Sequence, residues 1–336
     1  MSHNVLVTAA SRRVPLVQAF QRALLDTGLG GRVVVTDVNA LSPAVYAADR
    51  AFRVPLASEP GYVDAVLEIA VAEGVSLVVP TIDDELPLFG QARARFANHG
   101  VWVAVSAPET SVLCDDKHAT CVALAARGIA AAQSWLPHEL PAAPRYPLFI
   151  KPRHGRGGVG AHVVRNAREL AFFLDYVANP VVQGYLEGAE FTIDMLCDFT
   201  GRPLSIVPRR RDHIRAGVID RGCTVNDPSL IQLAEACAKA IPFAGAINIQ
   251  CRVVGGRPVV FEINPRFSGG IPLTIEAGAD FPRMLVDLAA GRAVPPAIGQ
   301  FRDRLWITSY EASVFLEDSQ VRLSMHQPEV AIGAVA

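Results

Sequence analysis

Between Asn4 and Val105 the chain alternates short runs that are apolar throughout with longer segments whose apolar residues recur at helical spacing. NVLVTAA, RVVVTD, VSLVVP and VWVAV read as strands. VPLVQAFQRALLDTG carries Val14, Val17, Leu24 and Leu25 on a helical period and stops at Gly28, and YVDAVLEIAVAEG and DDELPLFGQARARFANHG read as further helices. A strand that is apolar on both faces must be covered on both, so the alternation demands a parallel sheet with helices on each side. Such sheets gather ligands at the carboxyl ends of their strands. Ser11, Asp37 and Thr81-Ile82-Asp83-Asp84 fall at that edge.

The chain has 336 residues, 51% of them hydrophobic, which predicts about two domains and excludes global disorder. Lys plus Arg number 31 against 33 Asp plus Glu, a formal net charge of −2, so there is no electrostatic footprint for nucleic acid or an anionic membrane surface. The first apolar run covers only Val5 to Ala10, and Arg12-Arg13 follow it, which does not fit a signal peptide. No stretch approaches the ~20 uncharged residues of a membrane span. The six cysteines (114, 121, 197, 223, 237, 251) form no C-x-x-C pair and have no histidine at zinc spacing. Buried free thiols in a cytoplasmic protein are expected.

The texture changes near Pro108. DDKHATCVALAARG reads as one helix ending at Gly128, and a proline-rich connector follows. YPLFIKP and AHVVRN read as strands joined by RHGRGGVG, and NARELAFFLDYV as a helix capped by Asn166 with Glu169 completing a capping box. PVVQGYL, EFTIDMLCDF and PLSIVPRR suggest antiparallel strands, SLIQLAEACAKAI a helix, and AINIQCRVVGGRPVVFEINPR a hairpin turning at Gly255-Gly256.

Two stretches carry chemistry. Gly155-Arg156-Gly157-Gly158-Val159-Gly160 matches G-x-G-x-x-G, but a strand rather than a helix follows, so the dinucleotide reading fails on context. A glycine-rich hairpin beside Lys151 instead suits phosphate, with backbone N–H groups facing the oxygens. A surface hairpin whose glycines serve only turn geometry competes with it. In FEINPR, Glu262, Asn264 and Arg266 alternate and so share one face of a strand. A carboxylate and an amide oxygen suit hard Mg2+ on nucleotide phosphates, and Gln250 on the preceding strand adds a third oxygen. Arg266 suits charge on a transferring phosphoryl group. A polar edge strand with Arg266 paired to Glu262 is the plainer alternative.

In order along the chain, Lys117 in CDDKHAT, the IKPRHGRGGVG element, VVQGYLEGAEFTIDML and FEINPRFSGG resemble the ATP-grasp superfamily, and in it the carbamoyl-phosphate-synthetase-like branch. NVLVTAASRR and VVPTIDDEL look like that branch's preceding sheet domain. The resemblance implies an α/β and α+β architecture. A Rossmann-like parallel-sheet domain is expected at 1–107, an N-terminal ATP-grasp subdomain with the glycine-rich loop at 108–182, a C-terminal subdomain with the metal site at 183–310, and a peripheral segment at 311–336. Lys117 and Lys151 match the basic residues on the ATP phosphates, and Gly157 and Gly158 the loop over them. Gln183, Gly184, Tyr185 and Leu186 match the adenine hinge, with backbone groups at Gly184 and Leu186 reading the base. Glu190 matches the acid on the ribose hydroxyls. Gln250, Glu262 and Asn264 match the metal set, and Arg266 with Lys151 the pair that steadies the transferred phosphoryl group.

The matching stretch around Arg209-Arg210-Arg211 and Arg215 borders the acceptor in ATP-grasp relatives. Period-two geometry puts Arg209 and Arg211 on one face, and the planar arginine fork suits a carboxylate. Arg211 and Arg215 are therefore the expected anion-binding pair, with Ser268 and Gly269 beside the substrate. Gly184 stands where many relatives carry Glu, and Gly269 where carbamoyl-phosphate synthetase carries Arg. There is also one grasp unit rather than a tandem pair, so carbamoyl phosphate synthesis is not expected.

The implied activity is ATP-dependent ligation of a small-molecule carboxylate to an amine through an acyl phosphate, with ATP and Mg2+ (or Mn2+ in its place). No nucleic-acid or membrane partner is expected, and a homodimer is the default assembly. A nucleotide-binding regulatory protein of the same fold, without turnover, is the alternative. A nicotinamide-dependent oxidoreductase fits worse, because Ala9-Ala10-Ser11-Arg12-Arg13 lacks the glycines that admit a pyrophosphate.

Overall fold

The protein's structure, a computed structural model, describes residues 3–155 and 157–323. Arg156 of the glycine-rich segment and the end of the 311–336 segment lie outside the described residues. The chain divides into two compact units, one drawn from Met1–Ala104, Pro282–Val294 and Glu311–Ala336, the other from Val105–Phe281 and Pro295–Tyr310.

In the first unit, β1 (Asn4–Val7), α1 (Val14–Asp26), β2 (Val33–Asp37), β3 (Arg50–Arg53), α2 (Tyr62–Ala72), β4 (Val75–Val79), α3 (Leu86–Ala97) and β5 (Trp102–Val103) follow in turn. The strands form one parallel sheet in the order β3-β2-β1-β4-β5. β1 and β2 are buried along their whole length, as continuous apolar runs require. Helix α1 ends where Gly28 takes a φ of +65°, a left-handed value that glycine adopts without a Cβ clash. At the carboxyl edge Asp37 accepts the Ser11 N–H at 2.7 Å, and the Thr81 hydroxyl donates to the carbonyls of Thr8 and Ala9. Ser11, Asp37 and Thr81, three of the residues expected at that edge, make their contacts there.

The second unit opens with α4 (Pro108–Asp115) and α5 (Lys117–Ala125). The helix expected over 115–128 is α5, and α4 precedes it as an additional helix. Asp116 leaves the helical region between them, and its carboxylate accepts the N–H groups of His118 and Ala119, capping α5. β6 (Ser134–Trp135), β7 (Leu148–Pro152), β8 (His162–Val164), α6 (Ala167–Tyr176) and β9 (Pro180–Gly184) come next. They build a small antiparallel sheet in the order β6-β9-β7-β8. Asn166 caps α6 through the Glu169 N–H, as its sequence predicts.

β10 (Ala189–Cys197), β11 (Pro203–Arg215), β12 (Val218–Thr224), α7 (Pro228–Ala240), β13 (Gly245–Val254), β14 (Arg257–Asn264), α8 (Ile271–Glu276), α9 (Phe281–Ala289) and β15 (Trp306–Thr308) follow, and α10 (Asp318–Leu323) ends the described chain. The larger antiparallel sheet runs β14-β13-β10-β11-β12-β15. One of its faces is apolar. Phe191, Ile193, Met195, Ile247, Ile249 and Ile263 pack there with Leu230, Ala234 and Cys237 of α7. The other face is polar and carries the site. Among the described residues no helix is long and apolar enough to cross a membrane.

Candidate active site

The polar face of the larger sheet is organised in rows, because side chains two apart on a strand share a face and antiparallel register places partners opposite one another. In one row Glu190 of β10 stands across from Arg252 of β13 and accepts from it at 2.7 Å, while Arg211 of β11 donates to its other oxygen at 2.8 Å. In the next, Thr192 faces both Arg209 and Gln250, and Gln250 faces Glu262 of β14. In the third, Asp194 faces Asn248, which faces Asn264. A bulge follows Gln250 in the β13–β14 ladder, since Cys251 pairs with Val260 and Phe261 is left over.

A cleft of about 220 Å³ lies over this face, bounded by Phe149 and Lys151 of β7, Gln183 to Leu186 at the end of β9, and the loop glycines Gly157 and Gly158. Lys151 is 5% exposed, and its Nζ stands 3.3 Å from the Phe261 carbonyl, 3.3 Å from Glu262 Oε2 and over the Phe261 ring. The bulge thus aims a carbonyl and a ring at one ammonium. Burial works to raise the Glu262 carboxyl, but the charges of Lys151 and Lys117 and the hydrogen bonds from Asn264 and Lys151 outweigh it. The carboxyl is held below its ordinary value. Asn264 Nδ2 donates to Glu262 Oε1 at 3.3 Å, and Arg266 Nη2 donates to Asn264 Oδ1 at 3.3 Å.

Gln250, Glu262 and Asn264 offer one ionised carboxylate and two amide oxygens, a hard-oxygen set that fits a Mg2+ shared with phosphates. Soft-metal chemistry finds less support: among the described residues no group of three His, Cys, Asp or Glu stands together. All six cysteines are free and buried, and burial pushes the Cys121 thiol beside Gln183 up to about 11, which disfavours a nucleophilic role.

The glycine-rich loop is tied down from two sides. Lys117 Nζ donates to the Gly155 carbonyl at 2.6 Å, and Arg153 binds Asp116 at the cap of α5. Opposite, the β11–β12 turn reaches the loop. A Cβ on Gly217 would lie 2.8 Å from Gly157 Cα, so the two backbones touch with no side chain between them. Arg211 Nη2 holds that turn through the Gly217 carbonyl at 2.7 Å.

The structure brings most of the expected site residues to one place. Lys151, Gly157, Gly158, Gln183, Gly184, Tyr185, Leu186, Glu190, Arg211, Gln250 and Glu262 line the cleft. Lys117 reaches it through the loop, and Asn264 and Arg266 through Glu262. At the hinge the Gly184 N–H is taken by the Gln133 carbonyl, and the Leu186 carbonyl accepts from Arg252. The expected arginine pair is split: Arg211 lines the cleft, whereas Arg215 is half-exposed and bound to Asp220. Ser268 is buried against Arg209, and Gly269 packs on Val218.

Sequence reasoning passed over Arg252, Asp194 and Asn248, and set Arg209 aside in favour of Arg211 and Arg215. Arg209 is 1% exposed and binds Asp194 with both ends of its fork, at 2.7 and 3.0 Å. Asp194 also accepts the Thr274 hydroxyl. Gly270 leaves room for this pair, since a Cβ there would meet Arg209 Nη1 at 2.5 Å. Asn248 is 4% exposed, and its Oδ1 has no hydrogen-bond partner, an arrangement that costs about 1–3 kcal/mol. The signal for three of them was present: Glu190, Thr192 and Asp194, and then Asn248, Gln250 and Arg252, alternate with apolar residues along their strands.

Family models match two stretches of the chain: ATP-grasp in the biosynthetic pathway with Ter operon over residues 177–312, and the PylC-like N-terminal domain over residues 5–104. The carbamoyl phosphate synthase large chain of Thermoanaerobacter pseudethanolicus is 28% identical over 207 residues, 53% of this chain but 19% of that one. The arginine-specific large chain of Bacillus subtilis is 31% identical over 143 residues, 38% of this chain and 14% of its own. This chain therefore matches only a small part of the length of these relatives. Among solved structures, L-amino acid ligase from Bacillus licheniformis superposes with a TM-score of 0.67 at 18% identity, covering 90% of this chain and 78% of that one. N5-carboxyaminoimidazole synthetase from Staphylococcus aureus, complexed with ADP, gives 0.69 at 14% identity, covering 88% and 80%. The fold agrees with these matches: residues 177–312 are similar to the ATP-grasp model and residues 5–104 to the PylC-like N-terminal model.

Proposed function

We propose that the protein is an ATP-dependent carboxylate–amine ligase that releases ADP and phosphate. The observation that carries this reading is the pairing of Lys151 with an ionised Glu262 in a cleft, beneath a glycine-rich loop that Lys117 holds. Lys117, Lys151 and the N–H groups at Gly157 and Gly158 would bind the phosphates, Gln183 to Leu186 the base, and Glu190 the ribose. Gln250, Glu262 and Asn264 would hold Mg2+, which when bound neutralises phosphate charge. Arg266 would steady the transferring phosphoryl group. Arg211 remains at the cleft as an anion contact, whereas the surface position of Arg215 gives its assignment less support.

In this reading a carboxylate oxygen attacks the γ-phosphorus and ADP leaves with the bonding electron pair. An amine then attacks the acyl carbon, and phosphate departs carrying the amine proton. The chain's own work is positioning and charge neutralisation, so it needs no nucleophilic side chain. The free buried thiols agree with a cytoplasmic location, and the 2-oxoglutarate carboxylase biotin carboxylase domain of Hydrogenobacter thermophilus, a neighbour of similar fold, forms a dimer. The test is ADP release from MgATP across a panel of carboxylic acids paired with amines, among them the amino acids. Stimulation by one acid–amine pair, with a matching amide product, supports ligation. ADP release that no pair changes overturns it.

A further inference from the structure

Where α4 gives way to α5, three consecutive residues hold three consecutive residues at the stem of the glycine-rich loop. Asp115 pairs with His154 at 2.7 Å, Asp116 pairs with Arg153 at 2.5 Å, and Lys117 Nζ donates to the Gly155 carbonyl at 2.6 Å. The Lys117 N–H adds a main-chain hydrogen bond to the Arg153 carbonyl at 3.2 Å. These contacts are not equivalent. Asp115 and His154 are exposed, and solvent leaves such a pair little strength. Asp116 is buried.

Asp116 divides its two carboxylate oxygens between two elements. Oδ1 accepts the N–H groups of His118 and Ala119, both at 3.0 Å, and so caps α5. Oδ2 accepts from Arg153 Nη2. Burial works to raise this carboxyl, but the hydrogen bonds from Arg153 and Ala119 and the charges of Arg153 and His154 outweigh it and hold it below its ordinary value. A cap alone needs one neutral acceptor, and Ser or Asn serves as well as Asp. The charge and the second oxygen therefore meet a different need, which lies at Arg153.

That need follows from the composition of the loop. Gly155, Gly157, Gly158 and Gly160 all take left-handed φ values, between +70° and +104°. Glycine loses more freedom on ordering than any other residue, so a loop of this kind resists being fixed over a ligand. Fixing its stem beforehand removes part of that cost. The same carboxylate sets Lys117, the first residue of α5, against that stem.

We propose that Asp116 is a positioning residue for nucleotide binding: through Arg153 and the α5 cap it holds the loop stem and Lys117 in one arrangement, ready for phosphates. This rests on the nucleotide reading of the cleft given above. Asp116 acts through its neighbours, and as a bare anion it would repel phosphate. Removing its charge should tighten nucleotide binding if only electrostatics count, and weaken it if the clasp counts. The two accounts differ in sign.

The test titrates the full-length protein with a non-hydrolysable ATP analogue and Mg2+ in a calorimeter. It compares the wild type with Asp116→Asn, Arg153→Gln, Arg153→Lys and the double variant Asp116→Asn/Arg153→Gln. Asn keeps a capping oxygen but offers Arg153 no charge. Asp116→Asn and Arg153→Gln should each weaken binding by about 5- to 20-fold, somewhat less than a fully buried charged hydrogen bond would give. The double variant should bind no worse than either single one, since both break the same bond. Arg153→Lys keeps the charge without the fork and should recover part of the loss. Asp115→Asn removes an equal charge one residue away and should not weaken binding. Melting temperatures should stay within about 4 °C of the wild type, because the cap survives. Unchanged or tighter binding by Asp116→Asn overturns the proposal, as does a double variant that regains wild-type affinity or loses the product of the two single effects. If Asp116→Asn does not fold, the Arg153 variants carry the comparison, and equal affinity in Arg153→Gln and the wild type overturns it. If the wild type does not bind the analogue, the nucleotide reading fails and the proposal with it. If it binds and the variants match it, Asp116 alone is misassigned.

Discussion

Glu262 keeps its charge in an enclosed position because two lysines face it, and that gives it a pH signature as well as a chemical one. Its carboxyl lies below the ordinary value of 4.5, so the stability it contributes is present above that pH and is lost only as pH falls further, through the folded-state value. Urea midpoints of the wild type and Glu262→Gln should therefore differ by a constant amount from neutral pH down to about 4.5 and converge below it. The same substitution should cut ADP release by ~10²-fold or more while the fold survives, because a lost metal contact weakens the transition state rather than the core. Near-normal turnover of Glu262→Gln would refute the metal assignment. Glu262, Asn264 and Lys151 were legible in the sequence, since alternation and a neighbouring glycine cluster are local signals. The pairing of Arg209 with Asp194 was not, because the two come from different strands and only the sheet register brings them together.

Among the elements, the glycine-rich loop and the β11–β12 turn form one working part. Gly217 has a φ of +77° and lies against Gly157, so Gly217→Ala introduces both backbone strain and a collision. Hydrogen exchange at Gly157 and Gly158 should slow when MgATP binds the wild type and slow much less in Gly217→Ala. Equal protection in both would show that the contact has no part in nucleotide binding. The parallel sheet holds a second titratable element. Glu85, fully buried, accepts the Tyr62 hydroxyl and the Thr81 and Ile82 N–H groups, and burial raises its carboxyl above the ordinary 4.5. A raised carboxyl contributes stability that is complete below 4.5 and is lost as pH rises through the folded value. Relative to Glu85→Gln, the wild type should lose stability steadily between acid and alkaline pH, measured as urea midpoints. The long strands and helices around these parts were readable from periodicity. β3 (RAFR) and β12 (VIDRGCT) were not, because charges and a glycine interrupt their pattern and only their sheet neighbours make them strands. The break at Asp116 was missed for a related reason: a capping aspartate next to a second aspartate looks like a helix's first turn.

At the scale of the molecule, sequence order and compact units do not coincide. Pro282–Val294 clusters with the first unit, where Arg292 donates to the Thr27 carbonyl, although Phe281 just before it clusters with the second. No local pattern announces such a return, since the contact spans most of the chain. The two parallel and antiparallel architectures, by contrast, were legible from where apolar strands give way to half-polar ones. The salt bridge between Lys151 and Glu262 has a bearing on the whole molecule's thermodynamics. In the resting protein each of these groups is the other's counter-ion, so a polyphosphate arriving alone would leave the carboxylate unmatched, and a divalent cation arriving alone would leave the ammonium unmatched. Arriving together, they exchange partners with the bridge, so that the ammonium and the carboxylate each keep an opposite charge beside them. The protein should accordingly behave as an exchanger of paired ions. ATP affinity should rise by about one to two powers of ten at saturating Mg2+, Mg2+ affinity should rise by the same factor at saturating ATP, and Glu262→Gln should shrink that coupling equally for both ligands in titration calorimetry.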